Sequence, residues 1–196
     1  MLKINRLLFS SFLLVYIFML RSGAYSQTKT NLDVFFSLVD SSVNQFLQTS
    51  NIPSKIKVDL LNGDAYSVFN SRILGDLRSK GIEPANTKTD SFPVLSYTLE
   101  KPLTQYTNIF RDGFLGTYLV QRVISIKGNY YYPGLGRKEF YFANLDTVNT
   151  DEIKSIENIS FKFTSATLPP EPFFSGLFEP IAALGTAAAA VILFFT

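Results

Sequence analysis

The spacing of apolar residues divides the chain into stretches with different periods. Residues Leu7 to Leu20 (LLFSSFLLVYIFML) are apolar without period or charge. From Thr30 to Ser50, Leu32, Phe35, Phe36, Val39, Val43, Phe46 and Leu47 recur three and four apart, which predicts an amphipathic helix. Thr30 caps it, Asp33 takes the acidic place of a capping box, and Asn51-Ile52-Pro53 ends it. Lys55 to Leu61 alternates Ile56, Val58 and Leu60 with Lys55, Lys57 and Asp59, the pattern of a half-buried strand. Asn62-Gly63 turns the chain and Asp64 caps a second helix, with Val68, Phe69, Leu74 and Leu77 as its stripe and Ile73 beside them. Arg78 and Lys80 suit its negative end, and Gly81 suits the left-handed residue that closes it.

From Pro93 the period changes to two. Val94 to Glu100 and Leu103 to Phe110 read as two strands. Gly116 to Lys127 (GTYLVQRVISIK) is the strongest, with Gly128-Asn129 as a turn after it. Tyr130 to Tyr132 and Lys138 to Leu145 continue the alternation across Pro133-Gly134-Leu135-Gly136, Asp151 to Glu157 is a short helix, and Ile159 to Thr164 (ISFKFT) a last strand. Helices first and hairpins afterwards predict an α+β fold, two helices packed on one face of a mainly antiparallel sheet. That domain spans residues 27–168, without internal repeat.

The strand–helix unit from Lys55 to Ile82 and the strands after it resemble small α/β modules of bacterial envelope assembly proteins. Examples are the amino-terminal domain of the TolB type and the periplasmic domains of penicillin-binding-protein activators. The resemblance lies in element order and transfers no functional residue.

The two ends of the chain have other signatures. Lys3 and Arg6 precede the 14-residue run Leu7 to Leu20, and Arg21-Ser22-Gly23 breaks it. That run has the length of a signal-peptide core and is short for a membrane span. Ala24-Tyr25-Ser26 places small residues where a signal peptidase reads, so residues 1–26 are expected to be a signal peptide cleaved before Gln27; the alternative is an uncleaved N-terminal anchor. Pro169-Pro170-Glu171-Pro172 forms a stiff hinge. Residues 173–196 (FFSGLFEPIAALGTAAAAVILFFT) hold one acid, Glu179, and are long enough to cross a bilayer; a buried core helix is the competing reading. This tail looks like those of uncharacterised exported proteins of the Bacteroidota–Chlorobi group. The expected arrangement is a domain on the periplasmic or extracytoplasmic side, membrane-anchored through residues 173–196.

Composition narrows the chemistry. Cys, His and Trp are all absent, which excludes disulfides, a thiolate nucleophile, Cys/His metal sites, N-terminal lipidation on cysteine and every histidine base. The net charge of +2 is misleading, because Lys3, Arg6 and Arg21 account for it and the remainder is net −1. A clustered basic face is missing, so nucleic acid is not expected as a partner. No phosphate-binding or nucleophile-elbow motif occurs. Scattered acids (Asp59, Asp64, Asp76, Glu83, Asp90, Glu100, Asp112) and the neighbours Ser79-Lys80, with Ser71 nearby, leave a carboxylate or Ser–Lys hydrolase as the alternative enzyme reading. A ligand-binding sensor domain is the third. No catalytic, cofactor or metal residues are assigned.

Aromatic residues are the one excess: 19 Phe and 10 Tyr. Those not assigned to core are Tyr106, Phe110, Phe114 and Tyr118 around a glycine-containing turn, and Tyr130-Tyr131-Tyr132. Three consecutive tyrosines on a strand cannot all face inward, and an outward Tyr offers contact area at low entropic cost. These seven residues are the candidate partner interface of a non-enzymatic envelope accessory or assembly subunit; the competing account is that the outer rings cover sheet surface.

Overall fold

The computed structural model describes residues 28–49, 52–85, 91–113 and 116–170. The expected signal peptide, Phe114, the second half of the hinge and the anchor at 173–196 lie outside the described residues. Among those described, no helix is long and apolar enough to cross a membrane.

The first helix, α1 (Asn31–Gln48), starts where its capping residue predicts. Thr30 Oγ1 accepts the Asp33 amide at 3.1 Å and donates to the Asp33 carboxylate at 2.6 Å, so the acid bonds the capping hydroxyl. Its buried face is Val34, Phe35, Leu38, Val39, Val43 and Phe46, with Asn31 and Ser42 also buried. Strand β1 (Lys55–Leu60) buries Ile56 as its alternation requires. The second helix differs from expectation at its start. Residues Asp64–Tyr66 form a 3-10 turn capped by Gly63, and α2 runs Val68–Ser79. Gly63 has no side chain to hold the first amides, and the Ser67 hydroxyl donates back to the Asp64 carbonyl at 2.8 Å. Phe69, Ile73 and Leu77 are the buried stripe. The helix closes as predicted: Gly81 has φ +81°, Ile82 N–H bonds Leu77 O and Gly81 N–H bonds Arg78 O, both at 3.0 Å.

The fold is α+β, with the helices on a five-stranded mixed sheet in the order β2-β1-β3-β4-β5. Strand β2 is Glu83–Ala85, β3 Val94–Arg111, β4 Tyr118–Tyr132 and β5 Gly136–Asn149. β1 pairs in parallel with both β2 and β3, and β3, β4 and β5 pair antiparallel. The parallel part was hidden in the sequence because β2 is three residues long and contains Pro84, too short to alternate.

Three further expectations are corrected. The two strands expected on either side of Pro102 are one strand, β3. A bulge between Leu99 and Lys101 absorbs the irregularity, and β1 reaches only to Tyr97, so no neighbouring strand on that side needs the missing N–H. Gly128-Asn129 is not a turn but lies inside β4. A Cβ on Gly128 would stand 2.3 Å from Thr98 O and 2.5 Å from the Phe140 ring, so glycine is there for close packing. Finally, Ile159 to Thr164 is no strand. Residues Lys162–Thr164 form a 3-10 turn whose polar groups bond Asn158, Phe161, Asn31 and Thr104 instead of a ladder. The short helix at 151–157 is one α-helical turn, α3 (Ile153–Ile156), after a 3-10 turn at Thr150–Glu152.

Candidate functional site

Sheet residues alternate between a packed and an open face, and this alternation places the candidate aromatic residues that are described. On β4 the even-numbered Val120, Arg122, Ile124, Ile126, Tyr130 and Tyr132 are buried on the helix side. Leu119, Gln121, Val123, Ser125, Lys127, Asn129 and Tyr131 face the other way, Ser125 and Asn129 being buried by their neighbours on that face. Register carries the same division to the neighbours: Tyr97 pairs with Tyr130, Tyr106 with Arg122 and Phe140 with Gly128.

Of the seven candidates, Tyr106, Tyr130 and Tyr132 therefore belong to the packed side. Phe46 stands edge-on to Tyr130 at 5.2 Å and to Tyr132 at 5.5 Å, which explains their burial. Tyr106 donates no surface to solvent; its hydroxyl accepts from Asn31 Nδ2 at 2.9 Å, and burial pushes its pKa up to about 12 against the lowering effect of that hydrogen bond. Tyr118 is half-buried beneath the Arg111 guanidinium, 5.2 Å above its ring. Tyr131 and Phe110 are the two that reach the open face, 50% and 40% exposed. Phe114 is not among the described residues.

The open face also carries residues beyond the seven candidates. Tyr141 and Leu145 on β5 are 66% and 65% exposed. Val123 lies opposite Leu145, and Leu103 opposite Ser125, so the exposed rings flank a half-buried aliphatic column. The signal was present in the alternation of Lys138 to Leu145, which puts Tyr141 and Leu145 on the face opposite Phe140 and Phe142. Charged groups frame the upper part of this face: Arg137 lies 3.7 Å from Glu100, and Lys127 4.0 Å from Glu139. Asn129 donates to Glu100 at 2.6 Å.

Beneath the packed side lies a buried polar network. Arg122, 1% exposed, makes a two-pronged bond to Asp146 at 2.8 and 2.5 Å. Its other nitrogen donates to Lys29 O at 2.8 Å and Asn31 Oδ1 at 2.7 Å. Asn31 in turn donates to Tyr106 and to Thr164 O, the latter at 2.6 Å. Each buried donor here has an acceptor, the arrangement of a structural clasp rather than a reactive group. It fixes the first turn of α1 and residues 158–166 to the sheet.

The serine–lysine neighbours do not form a dyad geometry. Ser79 Oγ donates to the Asp76 carbonyl at 2.7 Å, and Lys80 Nζ lies 3.6 Å from Asp76 Oδ1. Ser71 bonds back to Val68 O. Ser71, Asp76 and Ser79, with Arg72 and Gly75, line a shallow groove of about 440 Å³ where α2 meets Phe36 of α1. Among the described residues, no three metal-ligating side chains cluster.

No family model matches the chain, and no curated protein matches its sequence. Solved structures that overlap part of its backbone include two lipoproteins. A minor lipoprotein from Acinetobacter baumannii superimposes over 52% of this chain and 70% of its own, at 7% identity and a TM-score of 0.36. The rare lipoprotein B from Shewanella oneidensis superimposes over 70% of this chain and 98% of its own, at 12% identity and a TM-score of 0.35.

Proposed function

We infer that the chain is a non-enzymatic accessory or assembly subunit of the cell envelope, tethered to a membrane through residues 173–196 and binding a protein partner with the open face of its sheet. The observation that carries this reading is the set Phe110, Tyr131, Tyr141 and Leu145, exposed on the side that none of the described helices covers. Aromatic and aliphatic groups on a rigid sheet suit a partner surface, because little side-chain entropy is lost on contact. The tether rests on the uncharged run Ile181 to Phe195.

The test places a photo-crosslinking residue at Tyr131 or Phe110 in the full chain, in its own membranes. It should capture one partner that a crosslinker at Ser71, on the outer side of α2, does not. Equal capture from both sides removes the open face as the binding surface. Carbonate washing addresses the tether separately: the full chain should stay with the membrane pellet, and release into the supernatant rejects it.

A further inference from the structure

The two edges of the sheet are unlike. The β2 edge is three residues long, contains Pro84 and carries a Lys55–Glu83 ion pair of 3.3 Å, all features that discourage added strands. The β5 edge is 14 residues long and pairs with β4 from Leu119↔Asn149 to Tyr132↔Gly136 without a register shift. It has no proline and no bulge. Among the described residues, nothing beyond β4 hydrogen-bonds its main chain, so about half of its N–H and C=O groups point outward unpaired. Its middle, Phe140 to Leu145 (FYFANL), is uncharged. On the helix side a groove of about 430 Å³ separates Phe140 and Phe142 from Ser41, Asn44, Gln45 and Gln48 of α1, which leaves room for the side chains of another strand.

We propose that this edge is the interface between two copies of the chain, β5 pairing antiparallel with β5 of the second copy to join two five-stranded sheets into one. The strand's own charges select the copy and the register. Opposed residues share a face, so the two-fold axis must pass through a residue or an equivalent even-spaced register. With Phe142 on the axis, Lys138 stands opposite Asp146 of the second copy at both ends of the interface. Phe140 then meets Asn144, Tyr141 meets Ala143, Glu139 meets Leu145, and no like charges oppose each other. Moving the axis to Tyr141 or Ala143 sets Lys138 against Asn144 or Val148 and loses both ion pairs. Asp146 is bound by Arg122 but 35% exposed at its side chain, so its oxygens retain acceptor capacity toward the edge. Such a contact is isologous and closes as a dimer. It is independent of the partner proposed for the open face, because β5 would give its edge to the copy and its face to the partner.

Because the chain has no cysteine, one introduced thiol reports one location. In the full chain in its native membrane, Phe142→Cys should form an intermolecular disulfide on mild oxidation, since opposed Cα atoms about 4.5–5.5 Å apart suit the bond. Ala143→Cys alone should not, while Tyr141→Cys with Ala143→Cys should. In detergent, Tyr141→Lys with Ala143→Lys puts like charges opposite each other twice and should raise the dimer dissociation constant about tenfold or more. The far-UV circular dichroism at low temperature should hold, because both residues are exposed. A full chain that stays monomeric, an Ala143→Cys crosslink as strong as that of Phe142→Cys, or capture of a different protein at position 142 overturns the proposal.

Discussion

At one end of α1, Phe46 is buried edge-on to Tyr130 and Tyr132 among side chains that carry no charge. At its other end Arg122 is equally buried, yet it is held by Asp146, Asn31 and the Lys29 carbonyl. The first end is an apolar core assembled from α1, α2 and all three long strands' upper halves. The second has only a small cluster, Tyr106, Val120, Val148, Ile153 and Ile156, beside the polar clasp. The difference shows that β3, β4 and β5 extend beyond the reach of the helices' apolar stripes. Where helices cover them, burial of hydrocarbon suffices; where cover ends, directed bonds hold the entering and leaving segments in place. A buried charge network specifies which groups must meet but contributes less net stability than the same volume of hydrocarbon.

The comparison is broken most severely from the apolar end. Phe46→Asp buries a charge with no partner and should cost several kcal/mol out of a total of about 5–15, so that the domain fails to fold, as read by loss of the cooperative thermal transition. A preserved transition would place the stripe elsewhere.

At the polar end, Arg122→Met removes the donor to three groups at once. The expected loss is about 3 kcal/mol, and it should be uneven. Amide hydrogen exchange should quicken first in residues 28–33 and 158–166 while Ile124, Ile126 and Leu95 stay protected. Uniform loss of protection would mean that the two ends are one cooperative unit.

Alkaline titration sharpens the comparison with a phenol on each side. Tyr97, bonded to Ser42 at 2.6 Å, has its pKa raised by burial, and Tyr106 is raised to about 12 for the same leading reason. The folded state therefore resists ionisation, and the stability each phenol contributes is intact below about pH 10 and declines as pH climbs toward the folded values. Tyr106→Phe should flatten part of that decline between pH 10 and 12, measured by denaturant midpoints. An unchanged slope would assign the decline to other groups.

The smallest effect is expected at the start of α1. Thr30→Ala removes the hydroxyl that holds the Asp33 amide and should lower stability by about 1 kcal/mol, seen as a small drop in melting temperature. No drop would mean that the Arg122 clasp alone fixes this turn.

What could be read in advance divides along the same line. Both helices, the Gly81 closure, β1 and the hairpin across Pro133 to Gly136 were legible, because caps, periods and turns are short-range and depend on neighbours a few residues away. So was the class, α+β. The surface assignment was legible only in part: at Tyr130-Tyr131-Tyr132 the alternation requires one ring to face outward, and the structure identifies Tyr131. Tyr106 looked like a surface residue because its cover, Asn31 and the cluster with Ile153 and Ile156, lies 75 residues before it and about 50 after it. Nothing near Tyr106 in the chain signals that contact. Tertiary structure alone decided that β1 pairs in parallel with β2 and β3, that β3 runs unbroken past Pro102, and that ISFKFT forms a turn. In each case the deciding partner is distant in sequence: β1 meets Glu83 on one side and Tyr97 on the other, its short length leaves Pro102 with a neighbouring strand on the β4 side alone, and side chains of α1 and β3 satisfy the main chain at 163–164. Local pattern determines which segments are able to be helix or strand; which of them meet, and which face is left to solvent, depends on contacts the pattern does not contain.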